Sequence, residues 1–397
     1  MMGSEDELQT PLLGKDSPLD RRAKRRIRDL YDQEQQIAIP TNDALDPERR
    51  RRVDLTITEI QGQSAAIQKT LEEERRTVCD IARKISGTPV RQIYLVGCGD
   101  SLSAMFGARA LYEQLLGIKC EPMQALDFAY YFNRPLDRRT LVVGLSSSGT
   151  TTRTVEAILL AKALGAKTLA LTNTPESPLM QESDHGLLVH AERKGWPTQA
   201  STAALALLFQ FAIEFAASAS AKTREIQSLQ IALDEIPALV DDVTKKCSEC
   251  IRRIARIEAR KHLYLFSGGG ASYSAAFFGA AKIKECTPNH AIAIPLEEFH
   301  HYNSQKDGDP LFLTAPSGPT IPRARDTAAE GKRRGGNVYS VTSEDEELLA
   351  NSSDEAIALP RMLETLTPLV YAVPAQLFAY YVGKEKFRIA DAERAAN

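Results

Sequence analysis

The chain repeats itself at a spacing of about 170 residues, which limits it to architectures built from two like halves. Ile93-Tyr94-Leu95-Val96 is matched 170 positions later by Leu263-Tyr264-Leu265-Phe266. Asp127-Phe128 is matched by Glu298-Phe299 at an offset of 171, Ser148-Gly149 by Ser317-Gly318 at 169, and Thr172 by Thr342 at 170. Four landmarks in one order at a nearly constant offset define a tandem duplication. The length of 397 residues accommodates two or three domains.

Within the first copy, Gln92–Gly97, Thr140–Leu145 and Thr168–Thr172 are short apolar runs of strand-forming residues. They alternate with helical patterns over Ser103–Leu116 and Thr154–Leu164. Such alternation predicts an α/β fold, a parallel sheet with helices on both faces. A further helical stretch runs from Leu55, with Ile57, Ile60, Ile67 and Leu71 as its apolar stripe, to the stop at Ser86-Gly87-Thr88-Pro89. The long helical segment Lys222–Ala259 joins the copies. The expected organisation is a charged N-terminal extension over 1–52, a first domain over 53–220, and a linker helix with the second domain over 221–397.

Charges nearly cancel, 49 Lys+Arg against 52 Asp+Glu, and 43% of residues are hydrophobic, which excludes a disordered chain and argues against a polyanion-binding domain. The basic run Arg21–Arg28 is flanked by Glu5, Asp6, Glu7, Asp29, Asp32 and Glu34, so it reads as a solvated or partly helical extension and not a nucleic-acid arm. Gln210 and Glu214 interrupt the apolar helix Ala203–Ala219, which reads as core and not as a membrane span. The N-terminus lacks the order of a secretory signal, so a cytoplasmic location is expected. Six cysteines are too few for a disulfide scaffold, and the lone Cys247-x-x-Cys250 has no second pair to complete a zinc site. His185, His190, His262 and His290 form no metal-ligand spacing. No metal is expected.

Two loops at strand ends carry the chemistry: Cys98-Gly99-Asp100-Ser101, and Ser146-Ser147-Ser148-Gly149-Thr150-Thr151-Thr152. Ligands of open parallel sheets bind outside such strand ends. A helix cap needs one hydroxyl residue, whereas the second loop supplies six, which suits a tetrahedral oxyanion such as phosphate. The only cation next to it in sequence is Arg153, which leans towards a singly charged anion such as a sulfonate. The second copy reads Ala315-Pro316-Ser317-Gly318-Pro319-Thr320 at this place, with two prolines that lack amide donors. It offers instead Lys282-Ile283-Lys284-Glu285 and His300-His301. A carboxylate with an imidazole is a usual pair for moving a proton beside a carbonyl.

These motifs resemble the sugar isomerase (SIS) family, in particular the isomerase half of the glucosamine-6-phosphate synthases, across roughly residues 55–383. Cys98–Ser101 resembles its C-G-T-S loop, Ser146–Thr151 its S-x-S-G-x-T loop, and Ala200-Ser201-Thr202 its A-S-T segment. Lys282–Glu285 resembles K-L-K-E, and Val373-Pro374-Ala375-Gln376-Leu377-Phe378-Ala379-Tyr380 resembles V-P-x-Q-L-x-A-Y. His301 follows Glu285 by sixteen residues, the family spacing of the ring-opening histidine.

The resemblance implies tandem SIS domains, each a three-layer α/β/α sandwich with a flavodoxin-like parallel sheet. It implies three catalytic residues: Glu285 as base, Lys282 beside it, and His301 as the ring-opening group, supplied in this family by a neighbouring subunit. Ser146, Ser147, Ser148 and Thr151 would hold the anion, and Cys98, Ser101 and Ser201 would orient the sugar. The implied reaction is aldose–ketose isomerisation or deamination of a hexose or amino-hexose 6-phosphate, with no cofactor and a homodimer or larger assembly. A 6-sulfo-hexose isomerase and a non-catalytic sugar-phosphate sensor are the alternatives; the presence of both Glu285 and His301 favours an enzyme. The chain opens Met1-Met2-Gly3-Ser4 without the synthases' N-terminal cysteine nucleophile, and its tail Ile389–Asn397 lacks their Schiff-base lysine, with Lys384 and Lys386 out of place. Amidotransfer is therefore not expected.

Overall fold

The computed structural model describes residues 10–36, 43, 45–131, 135–219, 223–302 and 304–396. The acidic residues Glu5, Asp6 and Glu7, the opening Met1–Ser4, Lys222 and the expected junction at 220/221 lie outside them. Among the described residues, ten strands form two parallel five-stranded sheets. The first holds β1 (Gln92–Gly97), β2 (Lys119–Gln124), β3 (Thr140–Leu145), β4 (Lys167–Thr172) and β5 (His185–Leu188) in the order β2-β1-β3-β4-β5. The second holds β6 (Leu263–Gly268), β7 (His290–Pro295), β8 (Pro310–Thr314), β9 (Asn337–Ser343) and β10 (Glu355–Leu359) in the order β7-β6-β8-β9-β10. Strand for strand the orders are the same, and both are the flavodoxin-like arrangement.

The helices are α1 (Arg21–Glu34), α2 (Pro47–Gln61), α3 (Gln63–Ser86), α4 (Asp100–Leu116), α5 (Ala125–Tyr131), α6 (Thr152–Ala163), α7 (Pro178–Glu182) and α8 (Gln199–Ala219). They continue with α9 (Thr223–Glu258), α10 (Tyr273–Cys286), α11 (Ile321–Arg333), α12 (Glu347–Ser352), α13 (Pro368–Tyr371) and α14 (Val373–Ala396). Strand residues alternate between two cores, as the period of two requires. Ile93 and Leu95 join the large central core with α3, α4, α8, α9, α10 and α14, while Tyr94 and Val96 join the outer core under α5 and α6. A third core lies between the outer face of the second sheet and α11 and α12. Both faces of each sheet are covered, which explains why the strands read as continuous apolar runs.

The duplication is visible where the halves meet. Helices α4 and α10 cross through a reciprocal pair: Ser103 Oγ donates to Ser274 O at 2.9 Å, and Ser274 Oγ to Ser103 O at 2.8 Å. Just before them Gly99 and Gly270 both take a positive φ, 56° and 55°. Helix α8 is long and apolar enough to cross a membrane, but most of it is buried in the central core. The joining helix α9 buries Leu229, Leu233, Ile236, Val240, Val243 and Cys247 on one face, so Cys247 is a packing residue. Cys250 Sγ donates to Glu355 at 2.9 Å, and no metal-ligand cluster occurs among the described residues.

Two expectations need correction. The helical stretch from Leu55 begins earlier, at Pro47, and is broken at Gly62, so residue 52 falls inside α2 and marks no boundary. The run Arg21–Arg28 is helical, with Arg21, Arg22, Arg25 and Arg28 exposed, but its apolar face is docked and not free. Ala23, Ile27, Leu30 and Tyr31 are buried in the outer core against α6, and Arg22 and Arg26 both pair with the buried Glu182. Ile27 is fully buried, so Ile27→Ala should cost about 2–5 kcal/mol in denaturant unfolding. A free extension would lose nothing.

Candidate active site

The sheet order reverses beside β1, because β1 pairs with β2 on one side and with β3 on the other. The loops after β1 and β3 flank that switch point and open onto one cavity of about 510 Å³. Cys98, Gly99, Asp100 and Ser101 line it from the first loop, Ser147, Ser148 and Thr151 from the second, and Ala200 and Ser201 from α8. Phe277, Ala281, Lys284 and Glu285 reach it from α10 of the second half. The hydroxyl loop of one copy thus faces the carboxylate of the other.

The hydroxyls of the second loop do not cap α6. Thr151 stands at the N-cap position without a side-chain capping bond, and its Oγ1 instead shares a 2.8 Å hydrogen bond with Ser146 Oγ. Ser146 Oγ accepts from the Gly149 amide at 3.1 Å, and Ser148 Oγ from the Thr150 amide at 3.2 Å. Ser147 Oγ donates to Asn173 Oδ1 at 2.9 Å, and Asn173 is anchored in turn on the carbonyls of Val189 and Ala191. Gly149 has φ 67°, and a Cβ there would stand 2.1 Å from Ser177 Oγ, so the turn requires glycine. The amides of Ser148, Thr151 and Thr152 donate to no atom among the described residues. The result is a nest of hydroxyls and amides at a helix N-terminus, suited to a tetrahedral anion. Ser146 is buried behind the nest and braces it; it does not line the cavity.

In the second copy Ser317 Oγ donates to Asp345 at 2.9 Å, and the Glu364 carboxylate stands 3.1 Å from where a Cβ on Gly318 would be. Acidic groups there disfavour an anion, so the two loops have diverged in charge as well as in hydroxyl count.

Lys282 is 1% exposed and stands behind the cavity wall. Its Nζ donates to Asp100 Oδ2 at 2.6 Å, Pro197 O at 2.7 Å and Glu285 Oε2 at 2.5 Å. The two carboxylates hold the Lys282 ammonium above its ordinary range, against the effect of burial. Glu285 is pushed up to about 7 by burial and by the neighbouring Asp100 charge, while Lys282 and Arg52 pull it down. That places a carboxyl group between proton donor and acceptor near neutrality. Ser201 Oγ donates to Asp100 Oδ2 at 3.0 Å, which ties α8 into the same network.

His301 is not brought to this cavity within one chain. It lies on the turn after the edge strand β7, 60% exposed, with Nε2 3.4 Å from Glu297 Oε1. Its neighbour His300 is fully engaged, by Glu330 at 3.0 Å and Thr327 at 2.8 Å. Arg153 also differs from its sequence reading. It turns away from the anion nest, stacks 4.3 Å over the Tyr31 ring of α1, and binds Tyr130 and Glu156. Sequence reasoning missed the exposed Arg193, which lines the cavity together with Lys284, and missed Asn173 and Asp100 as contributing side chains. Asn173 directly follows β4, where the strand-end rule could have found it; Asp100 stands where the resembling motif has threonine. Lys384 pairs with Asp54, and Lys386 binds the carbonyls of Ala259 and Lys261, so neither lysine enters the cavity.

The SIS domain model matches residues 88–214 and again 257–382, the two halves found in the fold. The chain belongs to the SIS domain family. It is 31% identical over 331 residues to the isomerizing glutamine–fructose-6-phosphate aminotransferase of Thermococcus kodakarensis, covering 82% of this chain and 54% of that protein. The same activity name is carried by an Aquifex aeolicus relative, 29% identical over 83% of this chain and 54% of its own length. This SIS chain therefore spans about half the length of these curated relatives. Among solved structures, the C-terminal domain of glucosamine-fructose-6-phosphate aminotransferase from Francisella tularensis superposes with a TM-score of 0.76 at 25% identity, covering 83% of this chain and 96% of that one. A glucosamine-6-phosphate deaminase from Thermotoga maritima shares the fold, with a TM-score of 0.66 at 21% identity over 83% of this chain and 94% of that one.

Proposed function

We propose that this SIS protein is a sugar-phosphate isomerase that moves a proton between C1 and C2 of an open-chain hexose or amino-hexose 6-phosphate, with release of an amine where the substrate carries one. The observation that carries this reading is the single cavity into which the hydroxyl nest of the first half and Glu285 of the second half both open. A sugar phosphate has the matching polarity, an anion at one end and a carbon acid at the other. Ser147, Ser148 and Thr151 bind the phosphate through hydroxyls and amides, braced by Ser146. Cys98, Ser101 and Ser201 line the same cavity and orient the sugar. Glu285 takes the proton from one carbon and returns it to the next, while Lys282 holds the carboxylate in place from behind. His301 acts at the ring oxygen, delivered by a second copy of the chain, so the working unit is at least a dimer.

The test is incubation of candidate hexose 6-phosphates with the protein in heavy water. Deuterium at C1 or C2 of a bound sugar is the expected result. Tight binding with no exchange would leave a sensor and overturn the enzyme reading. A sulfonated sugar is the second reading, since hydroxyl and amide donors accept either anion. Arg193 on the cavity wall supplies a cation that the doubly charged phosphate rewards more than a sulfonate. Paired 6-phospho and 6-sulfo hexoses in a thermal-shift series should accordingly favour the phosphate.

A further inference from the structure

We propose that α1 is the brace of the anion site: Tyr31 acting on Arg153, and Arg22 and Arg26 acting on Glu182, are positioning residues that set how tightly the hydroxyl nest holds its anion. The inference rests on the sugar-phosphate reading and adds to it a control outside the SIS domains, since α1 precedes both stretches matched by the family model. Two helices frame the nest, α6 after it and α7 against its turn, and α1 grips both.

The grip on α7 is ionic. This helix has five residues, little more than one turn, so its place depends on what its ends are fastened to. At its start the Leu179 amide donates to Gly149 O at 2.9 Å, and Ser177 fills the space beside the Gly149 turn. At its end Glu182 is 2% exposed, and Arg22 (3.0 Å) and Arg26 (3.1 Å) are the only cations paired with its carboxylate among the described residues. Lys162 binds the Glu182 carbonyl instead. Without α1 a buried carboxylate loses its counter-charge, and the end of α7 must move towards water to recover one. That movement pulls on the Gly149 peptide.

The grip on α6 is aromatic. Arg153 is the second residue of α6, directly after Thr151 and Thr152, whose amides belong to the nest. Its guanidinium lies 4.3 Å over the Tyr31 ring and pairs with the fully buried Glu156 at 3.3 Å. The Tyr31 and Tyr130 hydroxyls share a 3.1 Å hydrogen bond, and Tyr130 donates to Glu156 at 3.0 Å, which closes the cluster. A side chain locked on the far side of the first turn fixes the rotation of that turn, and with it the direction of the nest amides. Hydrogen bonds weaken steeply as their angle falls, so a small rotation costs affinity. By reciprocity, an anion in the nest fastens α1 by the same factor that α1 fastens the anion.

Calorimetric titration of the full chain with inorganic phosphate and with glucose 6-phosphate, at a temperature where every variant is folded, reads the brace directly. Tyr31→Ala, and Arg22→Ala combined with Arg26→Ala, should each weaken both ligands at least fivefold and to the same extent, because the loss lies at the anion end. Tyr31→Phe keeps the ring over Arg153 and should stay within twofold. Leu349→Ala, in the outer core of the second half, lowers stability without touching the brace and should leave both affinities within twofold. A purely packing role for α1 predicts lower stability with unchanged affinity throughout; that result overturns the proposal, as does a loss confined to glucose 6-phosphate. Hydrogen exchange in the unaltered protein decides the matter where a variant does not fold. Saturating glucose 6-phosphate should slow the α1 amides at least fivefold more than those of α11, and equal slowing overturns the proposal. Binding of neither ligand by the unaltered protein overturns the sugar-phosphate reading, and this inference with it.

Discussion

Glu285→Gln should lower kcat for proton exchange between roughly a hundredfold and ten-thousandfold, the range over which a positioned general base contributes. The substitution keeps the length and shape of the side chain and still offers an acceptor to Lys282, so sugar binding should change little. A drop in kcat with binding retained is the signature of a group that acts on the proton and not on ground-state affinity. Turnover within tenfold of the unaltered protein would remove Glu285 from its role. The pH profile gives a second readout. The base works only when ionised, and burial beside Asp100 pushes Glu285 up to about 7. Activity measured as kcat/KM should therefore rise with pH through neutrality and flatten above it. An ordinary exposed glutamate would already be ionised near pH 5 and would show no such limb.

The parts of this molecule legible in its sequence are those fixed by local pattern. Gln92–Gly97 and Thr140–Leu145 could be read to the residue because both faces of these strands are buried and no polar side chain interrupts the apolar run within them after the first position. The hydroxyl loop was legible because its composition exceeds what a helix cap requires. What escaped depends on distance or direction. Asp100 and Lys282 meet across 182 positions, and nothing in either segment points to the other. Arg153 sits next to the anion loop in sequence, yet one step into α6 turns it to the far side, towards Tyr31 and Tyr130. The docking of α1 was hidden because five arginines and a lysine between 21 and 28 dominate the pattern around Ala23 and Ile27. The resemblance added Glu285, His301 and Ser201, residues whose types are common and whose spacing alone carried little.

Lys282→Met should destabilise the fold by about 3–5 kcal/mol, because removing one partner of a buried ion pair strands the other charge. Here it strands two: Asp100 and Glu285 would face each other with no counter-ion bonded between them. The loss should depend on pH with a definite sign. Glu285 has a folded-state pKa raised above its ordinary 4.5 to about 7, so the folded state holds a proton that the unfolded chain releases in that interval. Stability contributed through this group therefore falls as pH rises from about 4.5 towards 7. Without Lys282 the carboxyl group resists ionisation more strongly, and the gap between variant and parent should be wider at pH 8 than at pH 5. Pairing Lys282→Met with Asp100→Asn should recover part of the stability, since the second change removes one of the stranded charges; denaturant unfolding of the four proteins in this cycle measures the coupling. A purely catalytic lysine predicts neither the destabilisation nor the recovery. The same ammonium that fixes the second half's carboxylate at the cavity also fastens it to the first half, so the duplicated fold and its working geometry depend on one buried charge.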